Sequence, residues 1–372
     1  MMKKFFLMTI GAISLVSCSN DEVVDVKRNV IAFNVVSENA SRAGTIYTNS
    51  VKPESFIVYA VHHKTNDDAS ITKSMYIDGA EVVKNGSSYV FKDGEERYWP
   101  ETGSLTFYAI VEPHGTYVGD GQNVAHYDRK NCNVNEISYN LLHAESLSGI
   151  GNENVNDAIA DQQDFIYAVK AGQTKSANSS TPVNLNFRHA YSQIVFNAKI
   201  AENKKLYVKV KSINLQELDV YGTFTLPSVT TDKNVTTSNG ETLVNQGTWE
   251  ALSHPDADTG GYRVVIEDDN QVVSSTTSKS LTSGSLALLL LPQKKTVTFI
   301  VDCEIYNVSG SAYNPETDVL IFSGGIDFTP SVDWKQGFKY IYTLNFEGVN
   351  SINFDLTVDD YISGTDTPVT VY

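Results

Sequence analysis

Apolar residues in this chain recur at every second position, and that period decides what it can fold into. Ile31, Phe33 and Val35 form one such set near the start, and Ile194, Phe196, Ala198 and Ile200 form another in the middle. Leu206, Val208 and Val210 repeat the pattern, as do Val297, Phe299 and Val301, and then Tyr340, Tyr342, Leu344 and Phe346. Ile352, Phe354, Leu356 and Val358 give the last long example. Side chains two apart share one face of an extended strand, so each run can bury one face and wet the other. Val, Ile, Thr, Tyr and Phe fill the runs, whereas Gly, Asn, Asp and Ser fill the spaces between them, as in strands joined by turns. Helical spacing is scarce, with one short helix expected within Asn135 to Ile159. The reading is all-β, with sandwiches favoured over barrels because the strands are many, short and unevenly spaced.

Ala171 to Thr181 (AGQTKSANSST) holds no large apolar side chain and separates two strand-rich halves. With 372 residues there is enough chain for two cores. The expected domains are 29–175, whose first strand runs over about 30–36, and 182–372. Val229 to Asn245 and Asn307 to Thr317 read as surface loops of the second.

At the start, Lys3 and Lys4 precede the apolar stretch Phe5 to Val16, which is too short to span a bilayer core of about 30 Å. The stretch ends in Leu15-Val16-Ser17-Cys18, with polar and acidic residues directly after. It resembles a bacterial lipoprotein signal peptide, residues 1–17. The resemblance implies that Cys18 is acylated, with palmitate-type chains, and that 18–28 is a lipidated tether. Each buried acyl methylene is worth about 0.8 kcal/mol, so several chains on one cysteine anchor firmly. Asp21-Glu22 resembles a surface-export signal, so the expected place is the outer face of the cell outer membrane. Lipoprotein-processing and outer-membrane export machinery are the implied partners.

The formal charge of -16 opposes binding to nucleic acid or anionic lipid, and no basic patch offsets it. Cys132 and Cys303 read as two separately placed thiols, with a cross-domain disulfide in an oxidising compartment as the alternative. The seven histidines, among them the adjacent His62 and His63, make no metal-ligand spacing. His189, just before an apolar run, reads as a turn or domain-edge residue. The acidic pairs Asp256/Asp258, Asp268/Asp269 and Asp359/Asp360 lack the alternation of a calcium loop. There is no G-x-S-x-G elbow, P-loop or dinucleotide fingerprint. Trp99, Trp249 and Trp334 stand apart, as core or edge residues do. The expectation is therefore no catalytic residues, no metal, no cofactor and no enzyme.

The remaining motifs resemble the fimbrillin-like, Mfa-like lipoproteins of Bacteroides-type bacteria, relatives of type V pilus subunits. They are Cys18, the first strand Val30 to Val35 (VIAFNV) followed by Ala40 to Gly44 (ASRAG), and Phe187 to Phe196 (FRHAYSQIVF). Leu289 to Gln293 (LLLPQ), Trp334 to Thr343 (WKQGFKYIYT) and Ile352 to Asp360 (INFDLTVDD) complete the set. The resemblance covers nearly the whole chain and implies two tandem transthyretin-like β-sandwich domains.

It also implies assembly into fimbriae. An arginine-specific protease cuts after an arginine that follows the first strand; that strand leaves, and a strand from another subunit fills the groove. Arg42 holds the matching position, with Arg28 as the rival. Cutting at Arg28 would free the lipid anchor but leave the groove occupied. Ile31, Phe33 and Val35 are the displaced-strand anchors in this reading. The donor lies within 351–372, with Val369 and Val371 as its anchors. Other fimbrial subunits are the implied partners, together with a host or bacterial surface receptor for an adhesive role. The alternative is a surface glycan-binding lipoprotein of a polysaccharide-uptake system, which a coplanar set of exposed Trp or Tyr would mark.

Overall fold

The computed structural model describes residues 29–37, 52–112, 117–118, 122–123, 125–143, 162, 164–179, 181–227, 246–253, 261–266, 271–282, 287–349, 351–360 and 369–370. The all-β expectation holds. The first half contributes β1 (Phe33–Ser37), β2 (Ser55–Thr65), β3 (Ile71–Asn85), β4 (Ser88–Phe91) and β5 (Ser104–Val111). After these come the short β6 (Tyr117–Val118) and β7 (Gln122–Asn123), then β8 (Ala125–Cys132), β9 (Ile137–His143) and β10 (Ile166–Gln173). A single helical turn, α1 (Lys175–Asn178), precedes β11 (Val183–His189).

Seven of these strands form a ladder in the order β1-β11-β10-β5-β2-β3-β4 that closes on itself. The closure, where the spacing favoured an open sandwich, comes from one antiparallel position, Phe33 opposite Tyr89. Aromatic residues fill its interior: Phe33, Phe56, Tyr89, Phe91, Trp99, Phe107 and Phe187 are all buried. The break expected between 175 and 182 contains α1, started by the Thr174 hydroxyl accepting from the Ala177 N–H. It then leads into β11, which pairs with β1 and β10 and so still belongs to the barrel. In the segment where a helix was expected, 137–143 is the strand β9. Residues 144–159 lie outside the described set.

The second half begins with β12 (Ser192–Ile200), β13 (Leu206–Gln216), β14 (Tyr221–Thr225), β15 (Thr248–Ser253), β16 (Gly261–Val265), β17 (Val272–Val273) and β18 (Lys279–Ser280). It continues with β19 (Leu288–Leu290), β20 (Lys294–Thr296), β21 (Thr298–Asn307), β22 (Val319–Phe328) and β23 (Ser331–Asp333). It closes with β24 (Phe338–Gly348), β25 (Ser351–Asp360) and β26 (Val369–Thr370). One sheet runs β18-β12-β24-β25-β26 with β19 beside β12, and a second runs β16-β13-β21-β22 with β17 beside β13. Their facing sides make one core, to which Ile194, Phe196, Val208, Val210, Phe299, Val301, Tyr342 and Leu344 contribute. These are the inward members of the period-two runs.

Several strands are buried on both faces, which mere alternation does not predict. In β5, Leu105, Phe107 and Ala109 point into the barrel while Tyr108 and Ile110 point into a third core. In β12, Phe196 faces the sandwich and Val195 faces that same third core. The third core is roofed by a sheet ordered β15-β14-β9-β8, which draws strands from both halves of the chain. The two halves are thereby joined through apolar packing.

Candidate functional site

The first strand is seated like an inserted part. Its alternation puts Ile31, Phe33 and Val35 inward, 2 %, 2 % and 0 % exposed, while Ala32 and Asn34 are half-buried. Phe33 sits in a cage of ring edges, with centroids 5.9 Å from Phe56, 5.9 Å from Phe91 and 5.4 Å from Phe107. All three contacts are edge-to-face, the arrangement that aligns a ring's positive edge with its neighbour's negative face. Trp99 backs the cage, 5.8 Å from Phe107.

Main-chain bonds hold the segment from two sides. The Ile31 N–H donates to the Arg97 carbonyl at 2.7 Å, and the Trp99 N–H donates to the Asn29 carbonyl at 2.9 Å. Further on, the Val183 N–H donates to the Ala32 carbonyl at 2.8 Å. From there β1 runs parallel to β11, in register from Phe33 opposite Val183 to Ser37 opposite Phe187. The Asn34 amide donates to Asn184 Oδ1 at 2.9 Å. On the other side, β4 meets β1 only at Tyr89.

The surroundings keep this pocket apolar. The Tyr89 hydroxyl donates to the Pro53 carbonyl at 2.8 Å, and burial pushes its pKa up to about 12. Arg97 lies over the Phe91 ring, 4.8 Å from its centroid, and pairs with Asp93 at 2.5 Å. Hydrogen bonding from Arg97 holds the Asp93 carboxyl below its ordinary range.

Of the other expected site residues, Cys18, Arg28, Arg42 and Val371 lie outside the described residues. Val369 begins β26, whose backbone pairs antiparallel with β25 at Val358 opposite Val369 and Thr357 opposite Thr370. The terminal segment is thus folded onto its own half at these two positions. Its neighbour β25 pairs with β24 along its length. Ile352, Phe354, Leu356 and Val358 are half-buried against the sandwich core, with Phe354 stacked on Phe328 at 5.1 Å.

A signal missed in the sequence is the match between two strands. Ile31-x-Phe33-x-Val35 and Ile352-x-Phe354-x-Leu356 carry the same kinds of anchor at the same spacing. Comparing the two runs, instead of reading each alone, would have found it. Also missed was the role of His189. It is buried with Asp164 and its Nδ1 forms a short hydrogen-bonded contact with Asp164 Oδ2, at the junction of the barrel with the third core. Cys132 and Cys303 are both free thiols, the second buried. Trp99 and Trp334 are buried and Trp249 is half-buried.

The model of the fimbrillin-like family matches residues 41–360. The chain belongs to the fimbrillin-like family. Its fold is similar to that of a fimbrial protein from Bacteroides vulgatus, at 16 % identity and a TM-score of 0.58, covering 90 % of this chain and 99 % of the other. A weaker likeness is to the tip fimbrial protein Mfa3 from Porphyromonas gingivalis, in a C-terminally truncated form. There the identity is 11 % and the TM-score 0.35, covering 87 % of this chain and 98 % of the other. No curated protein sequence matches the chain.

Proposed function

We propose that this fimbrillin-like chain is a subunit of a surface fimbria whose first strand is a removable placeholder. The observation that carries this reading is the seating of β1: three buried anchors, a full parallel ladder on β11 and a single pairing position on β4. Burying three such side chains is worth roughly 4–9 kcal/mol gross, enough to keep an uncut strand in place. A cut after Arg42 by an arginine-specific protease would sever β1 from β2. Departure of β1 would leave the β11 edge and the phenylalanine cage open to a strand supplied by a neighbour.

The donor in this proposal comes from 351–372. Val369 and Val371 are the anchors of its last segment, but that segment is short, and its one aromatic residue, Tyr372, does not share their two-residue spacing, so no aromatic anchor stands in line to occupy the position of Phe33. β25 supplies Phe354 at the matching spacing, and its anchors are only half-buried where they now lie. The proposed precursor is a lipoprotein carried on Cys18 at the outer membrane, with adhesion to a cell-surface receptor as its downstream role.

The test is digestion with an arginine-specific protease, N-terminal sequencing and electron microscopy of the products. The expected major product begins at Ala43, and Arg42→Ala blocks both the cut and polymerisation. Cutting only after Arg28 would sink strand release. Among donors, Phe354→Ala should lower polymerisation far more than Val369→Ser with Val371→Ser. The opposite order would assign the donor to the terminal five residues.

A further inference from the structure

We propose that the short crossover from β11 to β12 is a locked joint, which makes the barrel edge that seats β1 and the sandwich move as one body. β11 ends at His189 and β12 begins at Ser192, so Ala190 and Tyr191 carry the chain from the barrel into the sandwich. Such a link is where a hinge would form, because hinges absorb their change of φ and ψ at a few residues between elements. Both residues are buried, each 0 % exposed.

A different element grips each side of the link. The Ala190 N–H donates to the carbonyl of Phe165, just before β10, at 2.9 Å. The Trp249 indole N–H, on β15, donates to the Ala190 carbonyl at 2.8 Å. The Gly337 N–H, between β23 and β24, donates to the Tyr191 carbonyl at 2.9 Å. The Tyr191 ring also stacks on that of Trp249, with centroids 5.9 Å apart and planes 25° from parallel.

These grips are themselves tied together. Gln336 is 8 % exposed, and its Nε2 donates to the Gly247 carbonyl at 2.6 Å. The Gly247 N–H donates to the Tyr167 hydroxyl at 2.9 Å, and that hydroxyl donates to Gln336 Oε1 at 3.2 Å. The result is a buried ring of hydrogen bonds joining β10 of the barrel, the start of β15 and the sandwich loop before β24. Gly247 stands just before the strand of Trp249, and Gln336 directly precedes Gly337, so the ring positions both of those grips at once. Glycine is required at 247, since a Cβ there would fall 2.1 Å from the Phe224 ring.

Apolar packing in the third core holds the two halves together, but it is non-directional and does not set their angle. Hydrogen bonds weaken steeply when bent, so the ring and the grips do set it. The consequence for a fibre rests on the subunit role proposed above. Tension reaching β11 from a strand in the groove would pass through Ala190 and Tyr191 into β12. It would then cross the parallel ladder to β24 and reach β25, the proposed donor. A locked link passes that pull on without bending.

The experiment is hydrogen exchange, read by mass spectrometry, on the uncut chain carrying Cys18→Ser, alone and with Gln336→Ala or Tyr167→Phe. Neither the Gln336 side chain nor the Tyr167 hydroxyl bonds to the crossover backbone itself. Expected in both variants is exchange about tenfold or more faster in peptides covering 189–192 and 336–338, as well as 246–248. Peptides from β2, β5, β13 and β21 should stay as protected as before, and small-angle scattering should show a larger radius of gyration. Acceleration confined to the peptide holding Gly247 would reduce the ring to a local contact. Equal acceleration everywhere would mean a general loss of stability. Either result, or unchanged scattering, would overturn the lock. If Gln336→Ala does not fold, Tyr167→Phe removes a single oxygen and reads the same joint. The lock needs neither cleavage nor exchange, so finding it in a chain that never polymerises would remove only its role in a fibre.

Discussion

Replacing Phe33 by Ala tests the seating of the first strand most directly. The ring is 2 % exposed and touches Phe56, Phe91 and Phe107 edge-on, with centroids within 5.9 Å. Truncating such a ring removes its transfer free energy and leaves a cavity walled by three other rings, at a cost of about 3–5 kcal/mol. The same loss weakens the hold on a severed strand. At about 1.4 kcal/mol per factor of ten, release of β1 after cleavage should quicken by about 10²-fold or more. Denaturant unfolding followed by tryptophan fluorescence reads the first effect, because Trp99 packs on Phe107 beside the cage. Release of the N-terminal peptide from the cut chain, trapped with excess competitor, reads the second. Asn34→Ala is the control: it removes only an exposed amide bond to Asn184 and should cost about 1 kcal/mol or less. Equal losses from the two substitutions, or a Phe33→Ala loss under about 1 kcal/mol, would refute the cage argument.

Three further outcomes can be checked. His189→Gln should destabilise the chain by about 1–3 kcal/mol, because it disrupts the buried contact of the imidazole with Asp164, and combining it with Asp164→Asn should cost less than the two single losses summed in thermal melts. In the folded chain carrying Cys18→Ser, a thiol reagent at pH 8 should label Cys132 first. Burial pushes the Cys303 thiol up to about 12, so Cys303 should react only after denaturation; two equally fast thiols would contradict its placement. Burial also raises the Tyr89 phenol to about 12 from an ordinary value near 10, so the folded state holds this proton more tightly than the unfolded chain does. The contribution is complete below pH 10 and is lost as pH rises from 10 to 12, and Tyr89→Phe should flatten that part of an alkaline unfolding curve.

The inward positions were legible because alternation alone specifies them: Phe196, Val208, Phe299, Tyr342 and the anchors of β1 all face a core. What alternation does not carry is the other face. Tyr108, Val195 and Leu289 are also buried, because a third core covers the outer sides of β5, β12 and β19. Their runs read as continuous apolar stretches instead of alternating ones, and such a run names no partner. The break at 175–182 was read from its small polar residues, which do form a surface turn. Yet β11 beyond it is needed to pair with β1 and so stays with the barrel. A pairing between residues 33 and 183 leaves no local trace. The burial of His189 escaped notice for the same reason, since its partner Asp164 sits on the other side of that break.

The two edges of β1 differ, and the difference bears on how exchange would run. Along β11 the strand makes a parallel ladder over five paired positions, whereas β4 meets it at one. An incoming strand therefore has to satisfy the β11 edge and refill the cage. Matching the unfilled β4 side is not required of it. β25 offers Ile352, Phe354 and Leu356 at the spacing of Ile31, Phe33 and Val35, so the anchors gained would nearly equal those lost. Contacts of almost equal worth give no direction to a swap. Covalent connection does: a tethered strand competes at an effective concentration of about millimolar, and that advantage ends when the chain is cut. In the proposed mechanism, proteolysis after Arg42 thus adds no binding energy to the fibre. It withdraws the entropic advantage of the resident strand, which leaves the groove to whichever donor the growing fibre holds nearby.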